Sequence, residues 1–267
     1  MARAVLVKTS SQQPLVTVVI PSFNQGKFLE RALLSVIEQD VATEIIVMDG
    51  GSDDGSVEII KRYQHHIAYW QSKRDGGQAN AINVGMLHGS APFVCWLNSD
   101  DMFLPNGLKT LLLELQSNID SPAVYGKCWH INEQDKKVAP YLSFQFNKVL
   151  LANYCFIAQP ATLIRRKCWE ALNGLEERFN YAMDYDFWLR LYSEYGKFKY
   201  VKTFCAANRL HGDTKTHNGI DAHYAESIEA VNNAFNYIPL KWKVALPLMR
   251  LVRKIASLRY KNRKEKT

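Results

Sequence analysis

The chain reads as an α/β protein on a mostly parallel, Rossmann-like central sheet flanked by helices. Two observations predict it. Short apolar or β-branched runs alternate with helix-spaced apolar patterns from Val16 to Gln116, and each run ends in a polar or glycine-bearing loop. Order of the βαβα kind gives parallel strands joined by crossover helices, a doubly wound arrangement. With 267 residues, 47% of them hydrophobic, the chain is long enough to bury one sizeable core.

The first strand is the run Val16 to Ile20, ending at Pro21, and Phe28, Ala32, Leu33, Val36 and Ile37 follow at helical spacing. Ile45 to Met48 is the second strand, with Asp53 as N-cap of a helix through Val57, Ile60 and Tyr63. A third strand near Ala68 to Gln71 leads through Asp75-Gly76-Gly77 into a helix from Gln78 to His88. The fourth, Phe93 to Leu97, runs into Asn98-Ser99-Asp100-Asp101, and a helix from Pro105 to about Gln116 follows, with Asp101 a candidate to cap it.

The second half is less regular and reads as α+β. It holds a strand near Ala123 to Gly126, a turn at Asn132 to Lys137 and a strand near Ala161 to Ile164. Helices cover Lys167 to Leu172 and Tyr185 to Glu194, and a strand follows at Phe198 to Cys205.

Composition narrows the function classes. Five widely spaced cysteines without a C-x-x-C pair argue against a zinc site or a disulfide framework. The first residues, Met1 to Gln13, carry only the short apolar piece Ala4 to Val7, which does not make a secretory h-region, and no stretch of about 18 uncharged apolar residues suggests a membrane span. A cytoplasmic location is the expectation. The net charge of +7 is concentrated at one end: Leu240 to Thr267 holds ten Lys or Arg and one acid, and taking that local +9 away leaves −2 for the rest. A nearly neutral body excludes a basic nucleic-acid groove, so no nucleic-acid partner is expected.

Open α/β sheets bind ligands at the carboxyl ends of their strands, and this chain puts polar residues at each one. Pro21-Ser22-Phe23-Asn24, Asp49, Arg74-Asp75 and Asp100-Asp101 follow the four strands in turn. Adjacent carboxylates repel, so the last pair calls for a cation or many donors opposite it, and a divalent metal carrying phosphates fits. A nucleotide across such a rim needs an acceptor for a base imide, partners for ribose hydroxyls and a metal for the pyrophosphate; Asp49, then Asp75 or Asp100, then Asp101 supply these. The G-x-G-x-x-G of dinucleotide folds is missing from the loop PSFNQG, and Asp49 to Gly55 lacks the ligand spacing and closing Glu of a calcium loop. Asp184 and Asp186 flank Tyr185 at a helix start, more acid than capping requires, and one of them is a candidate general base. His211, in Arg209-Leu210-His211-Gly212-Asp213, is either a metal or phosphate contact or a turn histidine.

These residues resemble the family 2 glycosyltransferases, inverting enzymes with a glycosyltransferase A-type fold. The ordered matches are VTVVIPSFNQGKFLERALLSVIEQ, EIIVMDGGSDDGS, DGGQANAINVG, FVCWLNSDD, MDYDFWLRL and RLHGDTKT, from about Leu15 to His217. The resemblance implies a catalytic domain over 1–217, with a nucleotide-binding half at about 15–118 and an acceptor half at about 119–217, followed by C-terminal helices over 218–267. It implies a nucleotide-diphosphate sugar donor, a UDP-sugar first among them, and a saccharide or lipid-linked acceptor. On the matched motifs, Pro21, Ser22, Phe23, Asn24, Asp49, Arg74, Asp75, Asn80 and Asp100 fall in the substrate site. Asp101 and His211 would meet a Mg²⁺ or Mn²⁺ ion, and Asp184 matches the catalytic base. Met183 stands where the family pattern has Glu, and the D-x-D element reads Asn98-Ser99-Asp100-Asp101, which leaves the division of duty between Asp100 and Asp101 open.

Beyond Pro239, Leu248, Leu251, Val252, Ile255 and Leu258 recur at helical spacing among basic residues, the pattern of a helix in an anionic membrane interface or of a packed helix with a solvated basic end. Contact with the inner face of the membrane through 240–267 is the expectation. The aromatics Trp129, Tyr141, Phe144, Phe146, Tyr154, Phe156, Trp169, Tyr181 and Trp188 are dense in the second half, and none is assigned to a sugar. Two rivals share the need for a nucleotide. A metal-dependent sugar-1-phosphate nucleotidyltransferase would want a Gly-rich basic loop after the first strand, and a noncatalytic nucleotide-sugar-binding module would not need Asp184.

Overall fold

A computed structural model of the chain describes residues 13–212 and 219–244. The N-terminal piece Ala4 to Val7, Asp213 and the amphipathic tail from Leu248 onward lie outside the described residues.

The β-branched run of the first strand is buried along its whole length as β1 (Val16–Ser22), because helices cover both faces of it. It pairs in parallel with β2 (Thr43–Asp49) and β4 (Phe93–Trp96), and β2 pairs in parallel with β3 (Ile67–Ser72). The crossovers are α1 (Gly26–Ile37), α2 (Ser56–Tyr63) and α3 (Gln78–Met86). The amphipathic stripe of α1 faces inward through Phe28, Leu29, Ala32, Leu33 and Val36.

The second half joins the same sheet. After a short β5 (Met102–Phe103) and α4 (Gly107–Ser117) come β6 (Ala123–Ile131), β7 (Lys137–Pro140) and α5 (Lys148–Asn153). The chain continues through β8 (Thr162–Arg165), α6 (Arg166–Ala171), α7 (Met183–Tyr195), β9 (Lys199–Arg209) and α8 (Ile220–Phe235). The strand order is β3-β2-β1-β4-β8-β6-β9-β5, with β7 on β6. β8 is antiparallel to both β4 and β6, so β6 runs with the parallel strands, and β9 is parallel to β6. Six strands therefore point their carboxyl ends at one edge, the edge at which β5 begins.

Two helix starts differ from the sequence expectation. It is Asp54, not Asp53, that holds the start of α2, accepting from the amide (3.1 Å) and hydroxyl (2.6 Å) of Ser56. Asp101 does not cap α4, which starts at Gly107 after Asn106 in the left-handed region (φ 60°). Gly107 is fixed by sterics: a Cβ there would lie 1.9 Å from the Cys205 carbonyl oxygen, so α4 rests directly on β9. The core divides into two faces of the sheet. Trp96, Trp169, Phe187 and Trp188 lie together under α6 and α7, and Val18, Leu33, Leu108 and Leu111 lie under α1 and α4. Near the end of the described residues Trp242 is buried, donating from Nε1 to the Ala152 carbonyl at 2.8 Å.

Candidate active site

The loops on the shared edge are tied to one another. Asp49, only 1% exposed, accepts four hydrogen bonds. Its Oδ2 takes the amides of Gly51 (3.1 Å) and Ser52 (2.9 Å) and the Ser72 hydroxyl (2.6 Å), while Oδ1 takes the Ser52 hydroxyl (2.5 Å). Since each carboxylate oxygen has two acceptor directions, one on Oδ1 stays uncommitted to these partners. Gly51 sits at φ 86°, which the tight wrap around the carboxylate requires. Ser52 Oγ also accepts from the Asn24 amide (2.8 Å), and Asn24 Oδ1 accepts from the Asp53 amide (3.1 Å), so the loops after β1 and β2 form one unit.

Pro21 and Ser22 are buried within β1, and only Phe23 and Asn24 of that tetrapeptide face out. Phe23 is 62% exposed, an unusual position for a phenyl ring. A Cβ on Gly50 would come within 3.2 Å of both the Phe23 ring and Asp75 Oδ2, so these two groups flank the Asp49 loop. Asp75 Oδ1 accepts from the Gly77 amide at 2.8 Å, and Arg74 is exposed beside it. Asn80 joins this loop to Glu177: its Oδ1 accepts from the Gly76 amide at 3.2 Å and its side-chain nitrogen donates to Glu177 Oε2 at 3.1 Å.

The two acids after β4 have different surroundings. Asp101 is 1% exposed. Its Oδ1 accepts from the Arg209 amide (2.9 Å) and Asn208 Nδ2 (3.0 Å), and its Oδ2 from Asn98 Nδ2 (3.2 Å). Burial, and after it the neighbouring Asp100, push Asp101 well above the usual carboxylate range despite those donors. Asp100 is the more open, with its side chain 21% exposed, and its Oδ2 lies 2.9 Å from His211 Nε2. Arg209 supports the pair from below: Nε donates to the Asp100 carbonyl (2.8 Å), Nη1 pairs with Asp135 (2.6 Å), and the guanidinium lies 4.7 Å from the Phe28 ring centre. His211 packs on the same ring at 5.1 Å.

Asp184 opens α7. Its Oδ1 accepts from the Tyr185 amide (2.8 Å), and among the described residues no salt bridge reaches it. Burial raises its pKa above the ordinary value, with the Tyr185 amide and then His223 pulling the other way. Asp186 is instead committed to Arg190 at 2.7 Å, one helical turn on, which removes it as the base candidate. Met183 is buried in the core. From the acids of the edge, neighbours lead toward the second half of the chain: Asn208, which holds Asp101, also bonds His130, whose ring lies 5.5 Å from Tyr141. The Tyr141 hydroxyl donates to the Cys155 carbonyl (2.6 Å), and after burial the charge of Asp184 is among the causes that push both Tyr141 and Cys155 up.

Among the described residues no three His, Cys, Asp or Glu side chains gather into a metal cage. Asp100 and His211 offer one carboxylate and one imidazole. That donor set fits a hard dication carried in by phosphates, which needs only one or two protein ligands. Sequence reasoning missed Asn98, Asn208 and Arg209, which hold Asp101. The strand expected over Phe198 to Cys205 in fact runs over Lys199–Arg209, four residues further, so that its end meets the start of β5.

The chain matches the family model described as Glycosyl transferase family 2 over residues 17–172, more than half its length. It is 27% identical over 227 residues to a chondroitin synthase of Pasteurella multocida, covering 84% of this chain and 23% of that protein. To a chondroitin synthase of Escherichia coli it is 24% identical over 246 residues, covering 91% and 36%. The chain thus spans about a quarter to a third of these relatives. Among solved structures, S. aureus TarS 1–349 in complex with UDP-GlcNAc superposes with a TM-score of 0.66 at 16% identity, covering 82% of this chain and 67% of that one. The mannosyltransferase PcManGT of Pyrobaculum calidifontis, in complex with GDP-Man and Mn²⁺, gives 0.62 at 17% identity, covering 93% and 76%. The mixed α/β architecture is the one these glycosyltransferase structures share, and the chain belongs to glycosyl transferase family 2.

Proposed function

We propose that the chain transfers a sugar from a nucleotide-diphosphate sugar to an acceptor hydroxyl with inversion at the anomeric carbon. The acceptor class is a growing polysaccharide or lipid-linked glycan. The observation that carries this reading is the shared edge: Asp49 ends one parallel strand there, and Asp75 and Asp100 stand in the loops that follow two others. The UDP-GlcNAc and GDP-Man bound by structural neighbours, and the chondroitin synthases among the relatives, support the donor class and the polymer product.

In this mechanism the base imide donates to Asp49 Oδ1 and the base lies against Phe23, with Asp75 and Arg74 toward the ribose and phosphates. Asp100 and His211 would hold the Mg²⁺ or Mn²⁺, while Asp101 braces the turn from beneath. When bound, that ion neutralises charge on the leaving diphosphate. Asp184 takes the proton of the acceptor hydroxyl as its oxygen attacks the anomeric carbon, and the sugar–phosphate bond breaks with its electron pair leaving on the diphosphate. One displacement inverts the centre. A carboxyl raised by burial is the stronger base for this step.

The test is Asp184→Asn. Transfer, followed as nucleoside diphosphate released, falls by on the order of 10²- to 10⁴-fold while binding of that diphosphate with Mn²⁺ stays at the wild-type level. Near-normal turnover in the variant removes the base assignment.

A further inference from the structure

The helix that carries Asp184 begins without a cap of its own. Its N-cap residue is Ala182, which has no side-chain acceptor for the free amides. A carboxylate from a different helix instead holds the segment that leads into it. Glu226, on α8, accepts from three consecutive backbone amides: Asn180 at 3.1 Å on Oε1, Tyr181 at 2.7 Å and Ala182 at 2.9 Å on Oε2. The last lies two residues from Asp184. Its negative charge also sits at the positive end of the α7 dipole.

Helix α8 is pressed close at this point. A Cβ on Gly219, just before the helix, would come within 2.2 Å of the Tyr181 ring, so no side chain separates the two segments. At the same end of α8 the buried Trp242 ring packs 5.4 Å from Tyr224. Neither α7 nor α8 falls within the family match at residues 17–172.

We infer that Glu226 is a positioning residue for the transfer reaction: by fixing the backbone of residues 180–182 it sets where the Asp184 carboxylate meets the acceptor hydroxyl. The inference rests on Asp184 being the base. Misplacement of a reacting group by about 1 Å costs on the order of 10²-fold in rate. A loosened clamp therefore acts on kcat and leaves the donor site, built on other loops, as it was.

The experiment is a series at one position. Glu226→Gln keeps an oxygen for Tyr181 and Ala182 but turns an NH₂ toward the Asn180 amide, and Glu226→Ala removes all three acceptors. Turnover of UDP-N-acetylglucosamine and of GDP-mannose with Mn²⁺, read as diphosphate release, is expected to fall about 3- to 10-fold in the first and about 10- to 100-fold in the second, with donor KM within about twofold. Glu229→Gln, which cuts an exposed ion pair from the same helix to Arg178, leaves kcat unchanged. Hydrogen exchange needs no substrate: amides 180–186 lose protection in both Glu226 variants while those of α3 do not. Unchanged exchange at 180–186, or a Glu226→Ala kcat within twofold of wild type, overturns the inference. So does a fall in kcat matched by an equal rise in donor KM. Asp184→Asn run alongside separates the two readings. Turnover retained there sinks the base assignment itself; turnover lost there but kept in Glu226→Ala sinks only the clamp.

Discussion

Asp49 is asked to do two things at once, and Asp49→Asn separates them. Removing the carboxylate altogether strands four donors, the amides of Gly51 and Ser52 and the hydroxyls of Ser52 and Ser72. At about 1 kcal/mol each that is about 4 kcal/mol, and at 2–4 °C per kcal/mol for a domain of this size Asp49→Ala melts about 8–16 °C lower. Asparagine behaves differently. Its oxygen can take the place of Oδ2 and keep three of the four bonds. Its NH₂ then faces Ser52 Oγ, a hydroxyl able to accept, so the structural loss is about 1 kcal/mol, or 2–4 °C. The base imide fares worse, because the free acceptor on Oδ1 has become a donor pointed at a donor. A hydrogen bond to a charged group contributes about 1.5–3 kcal/mol, so the diphosphate Kd rises about 10- to 150-fold. Differential scanning fluorimetry gives the first number, and titration calorimetry with UDP or GDP and Mn²⁺ the second. An Asp49→Asn protein that melts as expected and binds its diphosphate with wild-type affinity refutes the recognition role and leaves Asp49 a loop anchor.

Three further outcomes are expected. Burial raises the native pKa of Asp184 above its unfolded value of about 3.9, so between the two the native state holds the extra proton and stability falls as pH rises through that window. Asp184→Asn therefore melts higher than wild type at pH 7, and the gap closes below about pH 4; a gap that does not change with pH contradicts the assignment of cause. Asp100→Asn weakens Mn²⁺-dependent diphosphate binding at least about tenfold without changing binding in chelator, since a charge-assisted contact is replaced by a neutral one; equal loss in both conditions speaks against a metal role. For the basic tail, deletion after Val244 abolishes flotation with vesicles of anionic lipid and leaves the melting temperature in place, at about 1 kcal/mol per basic residue near the surface. A cut before Pro239 cannot test this, because it also removes the buried Trp242.

The parallel half of the fold was legible because each strand there is a continuous β-branched or apolar run and each crossover helix shows its stripe. Ile45 to Met48 and the α1 stripe needed no tertiary information. β5 and β7 were not legible for a physical reason: Met102–Phe103 is two residues paired only with β9, and Lys137–Pro140 is exposed along its whole length, so neither carries a burial pattern. The acids of the site were legible as residues, since carboxylates at strand ends stand out against apolar runs. Their partners were not. Asn208 and Arg209 meet Asp101 across more than a hundred residues of chain, and Glu226 reaches Ala182 from a helix whose own sequence shows no reason for that acid.

Burial sorts the acids of the site into two kinds, and the sorting bears on which of them face substrate. Asp49 and Asp101 are almost wholly enclosed, and each gathers donors from two or more loops, so their charge first serves to hold those loops in register. Asp100 and Asp184 are only half-buried by surface, and each has a histidine as its neighbour: His211 in direct contact for Asp100, His223 through its field for Asp184. A buried anchor next to an open acid is how a site keeps a reactive carboxylate in place without covering it. Asp101 stands in that relation to Asp100. Glu226, itself half-buried, holds the backbone just before Asp184 from a different helix, so its loss is expected to lower the rate more than it lowers donor affinity.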